Sequence, residues 1–468
     1  MTINVTNTVG ANNTIVLDGN SKIPAIDGSQ VTALSATAFT TGTLATARID
    51  VGTTAGKILQ LDGNAKIPAI SGANLTNAPG ATVSTSDPTI SSNLTLGKKW
   101  VNKTSGEVYI CTDATAGANV WTNVGAGTGD VAPFQGWGSN YGYASGGTTG
   151  SASNVIDKHS FSSDGNASDV GNLTVARYYA SGQSSTTYGY TSGGVPGSDV
   201  IDKFSFGSDG DAADVGNLTV GRRGGAGQSS TTHGYIAGGT TGSVSNVIDK
   251  FSFSSDGNAS DVGNLTVSRY GSAGQTSTTH GYTSGGREPT ATYYVTIDKF
   301  SFSSDGDASD VGDITLARNT PAGQTSTTHG YTSGGDEATA GAAQNIIDKF
   351  SFSSDGDASD VGNLTVARYY ASGQSSTTYG YTSGGVPGSD VIDKFSFGSD
   401  GDAADVGNLT VGRRGGAGQS STTHGYIAGG TTGSVSNVID KFSFSSDGNA
   451  SDVGDITVAR NGVAGTQY

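Results

Sequence analysis

A single cysteine, Cys111, leaves no internal disulfide framework open to this chain and gives no information about redox compartment. Charge is also scarce. Only 14% of the 468 residues are charged, and the balance is acidic, with 24 Lys and Arg against 40 Asp and Glu and a formal net charge of -16. That sign repels phosphate backbones and anionic membranes, which sets nucleic acid aside as a partner. No long apolar run and no helical apolar pattern occurs, so neither membrane insertion through a helix nor a helical core is expected. The opening residues, MTINVTNTVG, lack a basic stretch and an apolar stretch, so no secretory signal peptide is expected there. The NVT and NLT sequons then read as strand sequence.

Glycine, by contrast, is abundant at 75 residues, and Ser and Thr crowd every segment, which fits many tight turns between short strands. The strongest signal is a repeat. An IDK triplet begins at Ile156, Ile201, Ile248, Ile297, Ile347, Ile392 and Ile439, in steps of 45 to 50 residues, and a GYxxGG turn precedes each copy. A period in that range means a propeller, a solenoid or an array. Within a copy, IDKFSF alternates: Ile201, Lys203 and Ser205 take one face, and Asp202, Phe204 and Phe206 the other. Thirteen of the 15 Phe occupy this pair of positions, with His159 the one substitute, so the Phe face is assigned to contact between neighbouring units. LTVAR alternates likewise, grouping Leu218, Val220 and Arg222. Strands before GYxxGG, at it, at IDKFSF and at LTVAR make four per unit.

The first 130 residues are different. Residues 1–80 hold their own repeat, VLDGNSKIPAIDGSQVT and LQLDGNAKIPAISGANLT, two apolar runs broken by Asp-Gly that are too polar to bury a core in one chain. They read as an attachment segment and a β shaft completed between chains, as a homotrimer. Residues 81–124 read as a small module of β-hairpins, with Trp100 and Trp121 bracketing the strand Val108–Cys111, and residues 125–132 as a Gly-rich linker into a domain spanning 133–468. The LDGNxKIPAI repeats, followed by KKWVNKTSGEVYICTDA and ANVWTNV, resemble the N-terminal parts of bacteriophage tail-fibre proteins over about the first quarter of the chain. The resemblance implies a virion protein at the distal end of a tail fibre. It would join other virion tail proteins through its N-terminus and carry a receptor-binding tip at its C-terminus.

Four strands per unit, GG after the second and an Arg closing the fourth resemble the kelch repeat, which implies β-propeller blades. The pattern departs from kelch in lacking a tryptophan near the last strand, since no Trp follows Trp137. Seven units fall within the 4 to 8 blades of a closed ring. The expected fold is therefore all-β: shaft, small module, then a seven-bladed kelch-like propeller of four-stranded blades. Partial strands at 134–141 and 461–468 are expected to close the ring, the C-terminal piece supplying the missing strand. Residues 167–263 recur identically as 358–454, an internal duplication of two blades' length.

Each copy carries an Asp-Gly-Asp/Asn run such as Asp305, Asp307 and Asp310. These oxygens suit Ca²⁺, but equally a turn whose Asx side chains bond their own backbone. The closing arginines and the histidines of THGY (His233, His280, His329, His424) recur in many copies, whereas a catalytic centre needs one asymmetric cluster. They read as structural, the arginines bonding carbonyls or Asp near the ring axis. No catalytic residue and no cofactor other than calcium is indicated, and no enzyme is expected. The informative positions are those that differ between near-identical copies. After the closing Arg stand Tyr178, Tyr179, Arg223, Tyr270, Asn319, Tyr369, Tyr370 and Arg414. In the longest loops after GG stand Arg287, Glu288, Tyr293, Tyr294, Asp336 and Glu337. Tyr and Arg are residues a binding face uses. The expected function is recognition of a host surface glycan or outer-membrane protein; a propeller glycosidase or lyase and a structural virion decoration are the alternatives.

Overall fold

The computed structural model describes residues 80–104, 107–124, 138, 140–338 and 341–467. The chain divides into two units, Met1–Thr82 and Val83–Tyr468. Residues 1–79 of the expected shaft, its trimer and the whole Gly-rich linker lie outside the described residues. The small module is a four-stranded sheet whose strands Thr82–Ser84, Lys99–Asn102, Val108–Asp113 and Val120–Asn123 adjoin in chain order. Its core is Tyr109, Cys111 and Trp121, with Trp100 set edge-on to Trp121 at 5.8 Å. Burial pushes the Cys111 thiol pKa up, so the lone cysteine is a core residue in its neutral form.

The repeats form seven four-stranded antiparallel sheets, and these are the blades of a kelch-like β-propeller. Blade 2 shows the unit: innermost Ser181–Ser184, then Tyr188–Ser192, Val200–Ser205 and outermost Ala213–Asn217. The first three strands lie at the positions expected. The fourth does not. It is formed by SDVGN or ADVGN, and LTVAR lies outside the ladder in every blade. LTVAR leaves the sheet because its polar groups go to the next blade: Thr174 donates its N–H (3.0 Å) and its hydroxyl (2.6 Å) to the Asp202 carboxylate. Leu218 and Arg222 are consequently buried while Val220 faces solvent, so the grouping of those three is also corrected. The DVG glycine is dictated by the same packing. Gly216 has φ +149°, and a Cβ there would stand 2.3 Å from the Gly257 carbonyl of the next blade's turn.

Both faces of IDKFSF are contacts between blades. Phe300 and Phe302 lie against Tyr235 of the preceding blade, with ring centroids 5.5 and 4.8 Å apart, and close the cluster Tyr235, Ala237, Ile248 and Leu265. On the other face Lys250 pairs with Asp305 of the following blade. Asp202 carries the deepest contact, because Arg177 of the preceding crossover donates to its Oδ2 at 2.7 Å and to the Thr191 carbonyl at 2.7 Å. All seven Arg–Asp pairs recur with both side chains fully buried. These arginines bridge adjoining blades at their second and third strands, a correction to their expected place at the ring axis.

The innermost strands adjoin one another in cyclic order, and the ring closes through Ala464–Gln467, which pairs with Tyr141–Ser145 as the innermost strand of blade 1. Arg460 to Asp157 and Lys441 to Asp164 complete the two series of ion pairs across the seam. Deleting Asn461–Tyr468 removes four paired residues and the buried Val463 and Ala464. At about 5 kcal/mol for these contacts and about 2 °C per kcal/mol for a domain of this size, calorimetry should show a melting temperature lowered by roughly 10 °C. An unchanged melt would overturn this account of closure.

The seam also holds His159, where six blades have Phe. The imidazole lies 5.5 Å from Phe161 and from Tyr426, and neither ring nitrogen has a hydrogen-bond partner. Burial pushes its pKa from 6.5 down to about 4. The unfolded chain therefore binds a proton between those two pH values that the folded chain refuses, so stability falls as pH drops from 6.5 to 4 and is unaffected above that window. His159→Phe should raise stability at every pH. Its advantage over the parent, measured by denaturant unfolding, should grow by up to about 3 kcal/mol between pH 7 and pH 4. A constant advantage would show that His159 does not titrate in this way.

Candidate functional site

The residues that differ between copies are brought together by main-chain pairing. The residue after each closing Arg forms a β-bridge with a residue just beyond the GG of the next blade: Tyr178 with Val195, Arg223 with Thr240, Tyr270 with Arg287, Asn319 with Asp336. Both variable zones therefore open on one face of the ring. The chain enters on the other face, where Gly138 bridges Ser421 at the far end of an innermost strand. A cavity of about 250 Å³ lies on that entry side, lined by Gln324, Gln374, Gln419 and neighbouring Ser and Thr.

The second residue after each closing Arg builds the centre of the variable face. Tyr179, Gly224, Gly271, Thr320, Tyr370, Gly415 and Gly462 each donate the backbone N–H to the carbonyl of the preceding member, at 2.7 to 3.4 Å. Tyr179 donates to Gly462, and the circle is complete. All seven have positive φ, from 50° to 67°. This collar needs a left-handed backbone at every position, which glycine adopts freely and other L-residues at about 1–2 kcal/mol each. Four members are glycine. The other three, Tyr179, Thr320 and Tyr370, accept strain that the scaffold does not require, and such strain gathers at functional sites.

Around the collar the candidates fall into two groups. Tyr179 and Tyr370 are more than 40% exposed, each beside its half-buried neighbour, with Tyr178 at 5.2 Å from Tyr179 and Tyr369 at 5.5 Å from Tyr370. Arg223 and Arg414 are exposed. The second group is a network joining blades 4 and 5. The Arg287 guanidinium sits over the Tyr270 ring (5.4 Å) and the Tyr293 ring (5.7 Å) and donates to the Tyr293 hydroxyl at 3.2 Å. Tyr293 donates onward to Asp336 at 3.1 Å, and Asp336 also accepts from Asn319 Nδ2 (3.1 Å) and the Thr320 hydroxyl (2.9 Å). Burial and the Asp336 carboxylate raise the Tyr293 phenol pKa. The Tyr370 phenol is raised by burial, then by Tyr179 and Asp336, so the two groups meet electrostatically at the mouth of the ring.

Glu288, Tyr294 and Glu337 stand half-buried in the same loops. Thr320 is the member the sequence reading missed; its signal was a non-glycine two places after a closing Arg. The calcium candidates do not converge. Asp305 pairs with Lys250, Asp307 accepts from the Asn264 amide at 2.9 Å, and Asp310 accepts from the Gly312 amide at 3.1 Å. Among the described residues no group of three His, Cys, Asp or Glu side chains is arranged to hold a metal ion. The THGY histidines each contact the neighbouring Thr hydroxyl through Nδ1 at 2.8 Å.

Because three donors converge on Asp336, Asp336→Ala should leave them without an acceptor. The expected cost is about 3 kcal/mol in denaturant unfolding, with faster proteolysis in loops 287–296 and 336–346. A variant as stable and as resistant as the parent would show that the network does not hold these loops.

No family model matches the chain, and no curated protein matches it. The chain is similar to a solved structure titled "Structure of YjhT", at 13% identity and a TM-score of 0.49, covering 57% of this chain and 95% of the other.

Proposed function

We propose that the chain is a bacteriophage tail-fibre protein, trimeric in its shaft and joined to other virion tail proteins through its N-terminus. Its propeller, at the distal end of the fibre, recognises a host surface receptor, a glycan or an outer-membrane protein. The observation that carries this reading is the convergence of the variable Tyr, Arg and loop residues on the face opposite the chain's entry. A fibre tip needs its recognition surface on that side. Trimerisation would multiply weak single contacts into avidity. Binding without chemistry is favoured because the sevenfold groups are engaged between blades and Asp336 is held by three donors.

The test uses fluorescent full-length protein on a panel of bacterial strains. Binding to some strains is expected, together with competition against virus adsorption on those strains. Arg223→Glu with Arg414→Glu should weaken binding by at least about tenfold, near 1.4 kcal/mol, while Thr186→Glu with Thr231→Glu on the entry side leaves it unchanged. Absence of binding to any strain would support a structural decoration instead, and turnover of host polysaccharide by the purified protein would support the enzyme.

A further inference from the structure

Building on the receptor reading, we infer that the mouth of the ring is a carbohydrate site in which Tyr179 and Tyr370 clasp one sugar ring or chain end from two sides. The two tyrosines belong to the duplicated segments and take identical places in blades 2 and 6. In the circle of seven hydrogen bonds they are three steps apart one way and four the other, as close to opposite as a sevenfold ring allows. Each projects from a left-handed backbone position where glycine serves four blades, so the aromatic ring is the feature retained there despite strain. The Tyr179 ring lies over Gly462, whose Cβ would stand 3.0 Å from it; the glycine lets the ring lie close against the collar.

The surroundings match a saccharide better than a protein surface. A sugar offers an apolar C–H face for stacking and hydroxyls at its edge, and a site for it combines exposed aromatic faces with a polar rim. Here the rim supplies the Arg223 and Arg414 guanidinium groups and the Asp336 network. Asn319 is 2% exposed, and its Oδ1 has no hydrogen-bond partner; it stands 2.1 Å from where a Cβ of Gly271 would lie, beside the collar. It is a buried acceptor without a donor, packed against the collar. A contiguous apolar patch would have favoured a protein partner. The other exposed large apolar residues of the propeller, Val175, Val220, Val366, Val411 and Val458, stand singly in the crossovers of five different blades.

The experiment measures full-length protein on a strain it binds, with cells pretreated by periodate, which cleaves vicinal diols of sugars, or by proteinase. Binding should vanish after periodate and survive proteinase. Tyr179→Gly and Tyr370→Gly should each weaken it by about tenfold or more and the double variant abolish it, while Tyr→Phe at both sites keeps it within about threefold. Melting temperatures confirm folding, since glycine is what four blades carry at this position. Glycine variants that bind like the parent would overturn the aromatic clasp, and binding lost to proteinase but not periodate would overturn the carbohydrate; both leave receptor recognition standing. If the parent protein binds no strain, receptor recognition itself fails and the sugar site with it.

Discussion

The fully buried Arg–Asp pair between neighbouring blades is the constraint on which the ring depends. Burial acts against both charges, pushing the Arg269 guanidinium down in pKa and the Asp298 carboxyl up. Such a pair is tolerated only when its remaining hydrogen-bonding capacity is met. Here most of it is: Asp298 accepts from Thr266 twice and from Arg269, which also reaches the Thr283 and Thr296 carbonyls and leaves only its Nε without a partner. Each donor comes from one blade and the carboxylate from the next. A blade shifted in register would strand a buried charge, a penalty of about 3–5 kcal/mol. The pair therefore acts mainly on specificity of assembly, while the Tyr–Phe clusters supply the larger share of apolar burial.

Sevenfold repetition of that clasp has a further effect. It holds every crossover alike, which places the second residue after every Arg in the collar with the same backbone conformation. The collar follows from the clasp. With backbone geometry settled by hydrogen bonds and ion pairs common to all blades, side chains at the collar and in the loops after GG are free to differ at little cost to the fold. Scaffold and variable surface are thus separated within each repeat: Asp202, Arg177 and Phe204 belong to the first, Tyr179 and Arg223 to the second.

Much of this was legible in the sequence, for physical reasons. Period-two alternation in IDKFSF and the spacing of its copies are local properties, so strand identity, blade number and the closing role of residues 461–468 could be read from them. LTVAR misled because it alternates like a strand, yet its hydrogen-bond partner is a carboxylate 28 residues on, in the following repeat. The hint lay in IDK itself: an Asp on the same face as two Phe must find a buried partner of opposite charge. The network around Asp336 was out of reach, since Tyr293 lies 43 residues away in another blade and only the folded ring brings them together.

The duplication gains a structural meaning from the ring. Copying residues 167–263 as 358–454 carried over a pair of crossovers, and with them Tyr178, Tyr179 and Arg223 as Tyr369, Tyr370 and Arg414. In a solenoid the two copies would lie far apart along an open stack. In a seven-membered ring, four blades of offset bring the copied tyrosines to opposite sides of one opening. A duplication that preserves every Arg–Asp clasp thus leaves the scaffold intact and places the same aromatic residue at two positions across the mouth. In the proposed sugar site two weak stacking contacts would add on one ligand, and no new backbone is needed to place them.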